Sequence, residues 1–320
     1  MSDKILFWIS RDLLHFGIAK HIQDNYECES YAIIESHKKP REFFKKQDIV
    51  HFEKTWFFDD LVSYSNKKPD FKFLKDFEEK YTINLWAIAY AERHFTHYNK
   101  YYQFNSNEIL SILEQECKLF VEILEEIKPQ FLVIRFTDFH HLDLLYNLCK
   151  SMGIKILMLT PVNMGGRWMV SERTQIDYFQ LRDSSTIPKS ESFEILTEYL
   201  KKNNPRDAVN KYISKTSVSI LPRKNTLKSI IRLFIPSVDD DRTRLLSHGR
   251  TRIKLLVKNI LLSLKTKSRE SYIDTNSIKK INSEEKFIFF PLQVQPERST
   301  LIAAPFFENQ LEIIYCIAKA

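Results

Sequence analysis

An arginine, two aspartates and two adjacent histidines fall within nine residues at 135–143, RFTDFHHLD. A carboxylate or an imidazole in such a set can take a proton from an attacking hydroxyl. Cationic and hydrogen-bonding groups beside it can hold the charge of a leaving phosphate. Asp138 is the candidate catalytic base, and His140 and His141 are candidate substrate contacts. The plainer alternative is that Thr137 or Asp138 caps a following helix. No metal is expected here. Adjacent histidines point in different directions on a helix, and no H-x-x-x-H spacing or cysteine partner supports them.

Three other clusters offer related chemistry. Arg11 stands beside Asp12 after the first apolar run, as a ligand contact or as a solvated neighbour of a capping aspartate. In PVNMGGRWMVSE, residues 161–172, Gly165 and Gly166 allow a close backbone approach, and Arg167 and Trp168 suit an anionic or sugar ligand. An ordinary hairpin turn is the equal alternative. In PLQVQPERST, residues 291–300, Gln293, Gln295, Glu297 and Arg298 crowd a loop stiffened by Pro291 and Pro296. Amide, carboxylate and guanidinium groups give directional hydrogen bonds to hydroxyls and phosphates.

Each cluster follows an apolar run of strand length, and those runs would position it. Strands are expected at Lys4–Ser10, Glu29–Glu35, Asp48–Phe52, Phe131–Phe136 and Lys155–Thr160. Helical spacing fills Leu13–Gln23, Phe71–Tyr98 with a break near Thr82, Asn107–Ile127 after an Asn105 or Ser106 cap, and His140–Met152 before Gly153. The alternation predicts an α/β fold, a Rossmann-like doubly wound parallel sheet over residues 1–185. In such sheets ligands bind where loops leave the C-terminal ends of strands. Residues 186–285 read as a basic helical linker region, with helices at Glu191–Lys202, Asp207–Ser214 and Thr251–Lys265. A strand at Lys286–Pro291 and a helix at Asn309–Ala320 read as the first unit of a second α/β domain, 286–320.

With 43% hydrophobic and 28% charged residues, the chain has a globular composition. Five glycines leave no G-x-G-x-x-G and no Walker pattern. Cys28, Cys117, Cys149 and Cys316 are widely spaced, as expected of reduced thiols in a cytoplasmic protein. No signal peptide and no membrane span are expected. Much of the net charge of +7 belongs to Pro205–Glu285, where 18 Lys and Arg stand against 8 Asp and Glu. That segment carries no nucleic-acid recognition motif, so charge alone does not argue for a nucleic-acid partner.

The wording PLQVQPERST, followed by a phenylalanine-bearing helix start, resembles the capsule polysaccharide and surface-carbohydrate biosynthesis family. KILFW and QDIVHFEKTWFFDD extend the resemblance loosely through the N-terminal domain. The resemblance implies a GT-B-like glycosyltransferase with two Rossmann-type domains, the first on the acceptor side and the second on the donor side. It implies transfer of a sugar from a nucleotide-activated donor to a glycan or lipid-linked acceptor, with no cofactor beyond that donor. It places Arg11 at the acceptor edge, and Gln293, Gln295, Pro296, Glu297 and Arg298 along the cleft between domains. Glu297 is thereby a second catalytic candidate behind Asp138. The downstream Lys-Glu-His-Pro-type motif of the family does not occur in the 320 residues. The donor-side domain is therefore expected to be truncated and its site incomplete. The alternative is a non-catalytic peripheral-membrane or complex-assembly module derived from such an enzyme.

One more element bears on that alternative. In RIKLLVKNILLSLKTKSR, residues 252–269, Ile253, Leu256, Val257, Ile260, Leu261 and Leu264 make one helical stripe bordered by Lys and Arg. Such a helix can lie on an anionic membrane surface at the inner face of the cytoplasmic membrane, or pack on a domain of its own chain.

Overall fold

Ile5 to Ile9 of strand β1 (Asp3–Ile9) are all buried, so this strand is covered on both faces. That is why its sequence is a continuous apolar run instead of an alternating one. The structure is a computed structural model that describes residues 2–10, 13–36, 38–62, 68–96, 102–162, 167–172, 193–202, 252–277, 286–293, 301 and 308–319. Chain contacts divide it into two units, Met1–Phe95 with Phe104–Ser217, and Thr96–Gln103 with Val218–Ala320.

The first unit is an α/β fold built on a six-stranded sheet. Its strands are β1, β2 (Cys28–Ile34), β3 (Lys54–Phe57), β4 (Phe131–Arg135), β5 (Lys155–Val162) and β6 (Arg167–Ser171), in the order β3-β2-β1-β4-β5-β6. The first five run parallel, and β6 is antiparallel to β5. The winding reverses between β1 and β4, which makes that edge the topological switch point of a Rossmann-like sheet. The helices are α1 (Leu14–Asn25), α2 (Lys38–Lys46), α3 (Phe58–Leu61), α4 (Phe71–Tyr81), α5 (Leu85–Ala91), α6 (Arg93–Thr96), α7 (Ser106–Ile127), α8 (His140–Ser151) and α9 (Phe193–Lys202).

Alternation along β1 assigns the two layers. Ile5, Phe7 and Ile9 pack with Phe16 and Ala19 of α1 and Phe44 of α2. Trp8 points the other way, with ring centroids 5.2 Å from Phe58 of α3 and 6.2 Å from Phe120 of α7. Helices therefore cover both faces, as the doubly wound reading expects.

Local signals explain several boundaries. Thr82 ends α4 with φ 55, and Gly153 follows α8 with φ 74, where a side chain would be strained. Asn105 caps α7 in a reciprocal box, accepting from the Glu108 N–H while Glu108 accepts from the Asn105 N–H. Asn105→Ala should cost about 1 kcal/mol of stability in urea unfolding.

Two expected strands do not form. Asp48–Phe52 is a turn: the Gln47 side chain accepts from the backbone N–H groups of Ile49 and Val50, and the strand begins later, at Lys54. In the second unit, residues 286–293 have no regular structure, and Phe287, Ile288 and Phe289 are exposed. A strand needs a neighbour for its backbone groups, and none is present there among the described residues. The second unit otherwise shows α10 (Arg252–Asn276), longer than the sequence suggests, and α11 (Gln310–Lys319). The expected helix Asp207–Ser214 lies outside the described residues.

Cys117 and Cys149 are buried, Cys28 is half-buried and Cys316 is exposed. Burial pushes the Cys117 and Cys149 thiols upward, away from the reactive thiolate. A thiol reagent should label Cys316 first and reach Cys117 and Cys149 only after denaturation, as mass spectrometry of the labelled peptides would show.

Candidate functional site

The strand register brings one level of the sheet together at the switch point. Phe7 pairs with Ala32 and with Val133, and Ile9 pairs with Ile34. Ser10, Glu35 and the β4 exit at Arg135–Asp138 therefore stand at one edge, beyond the C-terminal ends of three adjacent strands. The Glu35 N–H donates to the Ile9 carbonyl at 2.9 Å, which ties the first two exits together.

Five buried side-chain atoms at this edge have no hydrogen-bond partner among the described residues: Ser10 Oγ, Ser36 Oγ, Thr137 Oγ1, Asp138 Oδ1 and Arg135 Nε. A buried polar atom left unpaired is costly unless a ligand or solvent satisfies it. Arg135 Nη2 donates to Asp138 Oδ2 at 3.2 Å, and both side chains keep about a fifth to a quarter of their surface exposed. Burial pushes the Asp138 carboxyl up to about 6, with the Arg135 guanidinium only partly opposing it. A carboxyl poised there is suited to moving a proton near neutral pH.

Glu35 completes the edge from β2. Trp8 Nε1 donates to its Oε2 at 3.3 Å, and His141 Nε2 lies 3.8 Å from the same oxygen. Burial opposes its ionisation, but His141, the Trp8 N–H and the charge of Arg135 hold its carboxyl below the ordinary range. His141 is itself enclosed, stacked between Trp8 at 5.2 Å and Phe139 at 5.7 Å.

Beneath the edge lies a buried ionic core. His140 places Nδ1 2.8 Å from Glu92 Oε2 and Nε2 3.0 Å from Glu116 Oε1. Carboxylates facing both ring nitrogens favour the doubly protonated imidazolium form of His140. Burial alone would lower its pKa; Glu116 and Glu92 outweigh burial and raise it to about 10. Burial likewise opposes Glu92, yet His140 holds its carboxyl down at about 2. Glu92 also accepts the backbone N–H of His140 at 2.8 Å and of His94 at 2.9 Å. It thus caps α8 from 48 positions away in sequence. The residue preceding that helix, Phe139, supplies no side-chain cap.

The expectation that His140 contacts sugar or phosphate therefore does not hold: its side chain is wholly buried and both nitrogens are engaged. His141 is also withdrawn from solvent, with 3% of its side chain exposed, and acts on the edge through Glu35. Neither Thr137 nor Asp138 is the α8 cap, so the capping alternative for Asp138 is removed. Glu116, His140 and His141 present ligand atoms within 4.8 Å of one another. Both ring nitrogens of His140 are already within hydrogen-bond distance of Glu92 and Glu116.

Other expected residues fall elsewhere. Arg11, Gly165, Gly166, Gln295, Pro296, Glu297 and Arg298 lie outside the described residues, as does the Arg167 side chain. Val162 pairs with Arg167 across antiparallel β5 and β6. Gln293 is exposed; its N–H donates to Gln310 Oε1 at 2.5 Å and its carbonyl accepts from Gln310 Nε2 at 2.9 Å. This amide clasp ties the segment to the start of α11.

Glu35, Glu92 and Glu116 were not singled out from sequence. Glu116 was readable, because it shares the buried face of α7 with Leu113, Cys117, Phe120 and Ile123. A carboxylate in an apolar stripe needs a buried partner. Glu35 follows a strand exit directly, by the same rule that picked Asp138. Glu92 stands between two short helices with no periodic signal.

A separate groove of about 190 Å³ between α4, α5 and α7 is lined by Phe71, Leu74, Leu85 and Trp86. Lys75 and Glu78 also line it, and Glu78 accepts the Leu85 N–H at 2.7 Å. No protein-family model matches the chain, and no curated protein matches it.

Proposed function

We propose that the chain is a glycosyltransferase-type protein of capsule or surface-polysaccharide assembly. Its first unit takes the acceptor sugar at the β1–β4 switch point. The observation that carries this reading is the pairing of Asp138 with Arg135 among unpaired hydroxyls at that edge. Hydroxyl-rich ligands match Ser10, Ser36 and Thr137, which can each donate and accept.

In this reading Asp138 accepts the proton of an acceptor hydroxyl as its oxygen bonds to the anomeric carbon of a nucleotide-activated sugar. The bond from that carbon to phosphate breaks, and the nucleoside diphosphate leaves with the electron pair. Arg135 orients the Asp138 carboxylate, and Glu35 with His141 sets the field around it. No cofactor beyond the donor is required. Glu297, Gln293, Gln295, Pro296 and Arg298 are the proposed donor-side contacts, and Arg11, Gly165, Gly166 and Arg167 the proposed acceptor-side ones; the support for both sets is the resemblance carried by PLQVQPERST. The cytoplasmic side of a membrane is the proposed location.

Nucleoside diphosphate release from a panel of sugar nucleotides, run with glycan acceptors present, tests the reading. Acceptor-dependent release from one donor supports it. A chain that neither binds a saccharide nor releases nucleotide with any pair overturns it.

A further inference from the structure

The apolar stripe of α10 faces outward. Ile253, Val257, Ile260, Leu261 and Leu264 are exposed by 49–63%. A helix packed on a core would bury that stripe. The first eighteen residues of α10, 252–269, carry six Lys and Arg and no acid. At 100° per residue, Lys254, Lys258, Lys265 and Arg269 form a row along one border of the stripe, beside Leu261. Beyond that row come Leu262 and Leu255, and then Asn259, Ser263, Thr266 and Glu270; Lys267 falls within the stripe, beside Leu256.

No helix among the described residues is long and apolar enough to cross a membrane. An exposed apolar stripe bordered by a cationic row matches an interface between water and lipid instead. The apolar side chains enter the acyl boundary, and the lysines reach headgroup phosphates along its edge. About 27 Å of helix carries the pattern, at 1.5 Å per residue. The pattern then stops: Glu270 and Asp274 place acids in the last turns of the same helix.

We propose that residues 252–269 of α10 form a docking surface for an anionic lipid bilayer, lying parallel to it. This inference is independent of the transfer reading, and its test does not use enzyme activity.

The test is co-sedimentation of the full 320-residue chain with vesicles of phosphatidylcholine alone and with about one third phosphatidylglycerol. Binding to the anionic vesicles that falls at high salt is expected. Lys254→Gln/Lys258→Gln/Lys265→Gln should weaken partition on the order of a hundredfold. Leu261→Asp/Leu264→Asp should abolish it, with helix content unchanged by circular dichroism. Both substituted sites in that pair are exposed, so the fold does not depend on them. A native chain that stays in the supernatant with anionic vesicles overturns the proposal. So does binding that survives Leu261→Asp/Leu264→Asp, which would mean a charge-only interaction with any polyanion. Sedimentation velocity showing a dimer that those substitutions dissociate, with vesicles ignored, assigns the stripe to a second copy and also overturns it.

Discussion

Asp138→Asn should lower sugar transfer by about 10²–10⁴-fold, the usual contribution of a positioned base. The same substitution should stabilise the protein. The Asp138 carboxyl titrates at about 6 in the fold, against about 3.9 in an unfolded chain. Its contribution to stability is complete below the unfolded value and is lost as pH rises through about 6. At neutral pH the ionised carboxylate is therefore a burden on the fold. Asparagine removes that burden and gives up part of the Arg135 contact at 3.2 Å. A net gain of about 1–2 kcal/mol at pH 7.5 is expected, with almost none at pH 4. Urea unfolding at the two pH values measures it. Activity of the native chain should rise with pH through about 6 as the base ionises. A loss of stability on Asp138→Asn would point to a structural carboxylate.

Glu92→Ala should be the most damaging single change in the first unit. It removes the partner of a buried imidazolium and leaves the His140 and His94 backbone N–H groups without their acceptor. Breaking a buried charge pair costs about 3–5 kcal/mol. In a domain of this size that lowers the melting temperature on the order of 10 °C. Glu92→Gln keeps an acceptor oxygen and should cost less, so the difference between the two separates cap from charge. The pH profile follows from both partners. The Glu92 contribution is complete above about 4.5 and lost as pH falls through about 2. The His140 contribution is complete below about 6.5 and lost as pH rises through about 10. Their shared stabilisation is therefore greatest between those inner limits, and Glu92→Ala should flatten the profile on the acid side.

These two expectations divide what sequence could supply from what it could not. The sheet was legible because KILFWI, FLVIR and KILML are uninterrupted apolar runs, and parallel interior strands leave no other pattern. The place of Asp138, just past the end of a buried parallel strand, was legible because FLVIR is such a run. Asp48–Phe52 misled because DIVHF has strand composition, whereas Gln47 turns the backbone there through its own side chain. His140 misled for a different reason. A histidine beside a strand exit reads as a ligand contact until Glu92 and Glu116 are known to close on it, and they come from positions 48 and 24 residues earlier. Periodicity reports which face of an element is buried, not which buried faces meet. The stripe of α10 shows the same limit, since spacing alone cannot tell a core-facing helix from an outward one.

Saccharide binding at the switch point is measured most directly on a glycan array, with the native 320-residue chain beside Asp138→Asn. Selective binding of one saccharide class by the native chain, weakened at least tenfold in the folded variant, is the expected result. Equal binding by the two proteins, or no saccharide bound by the native chain, would contradict a sugar site at Asp138.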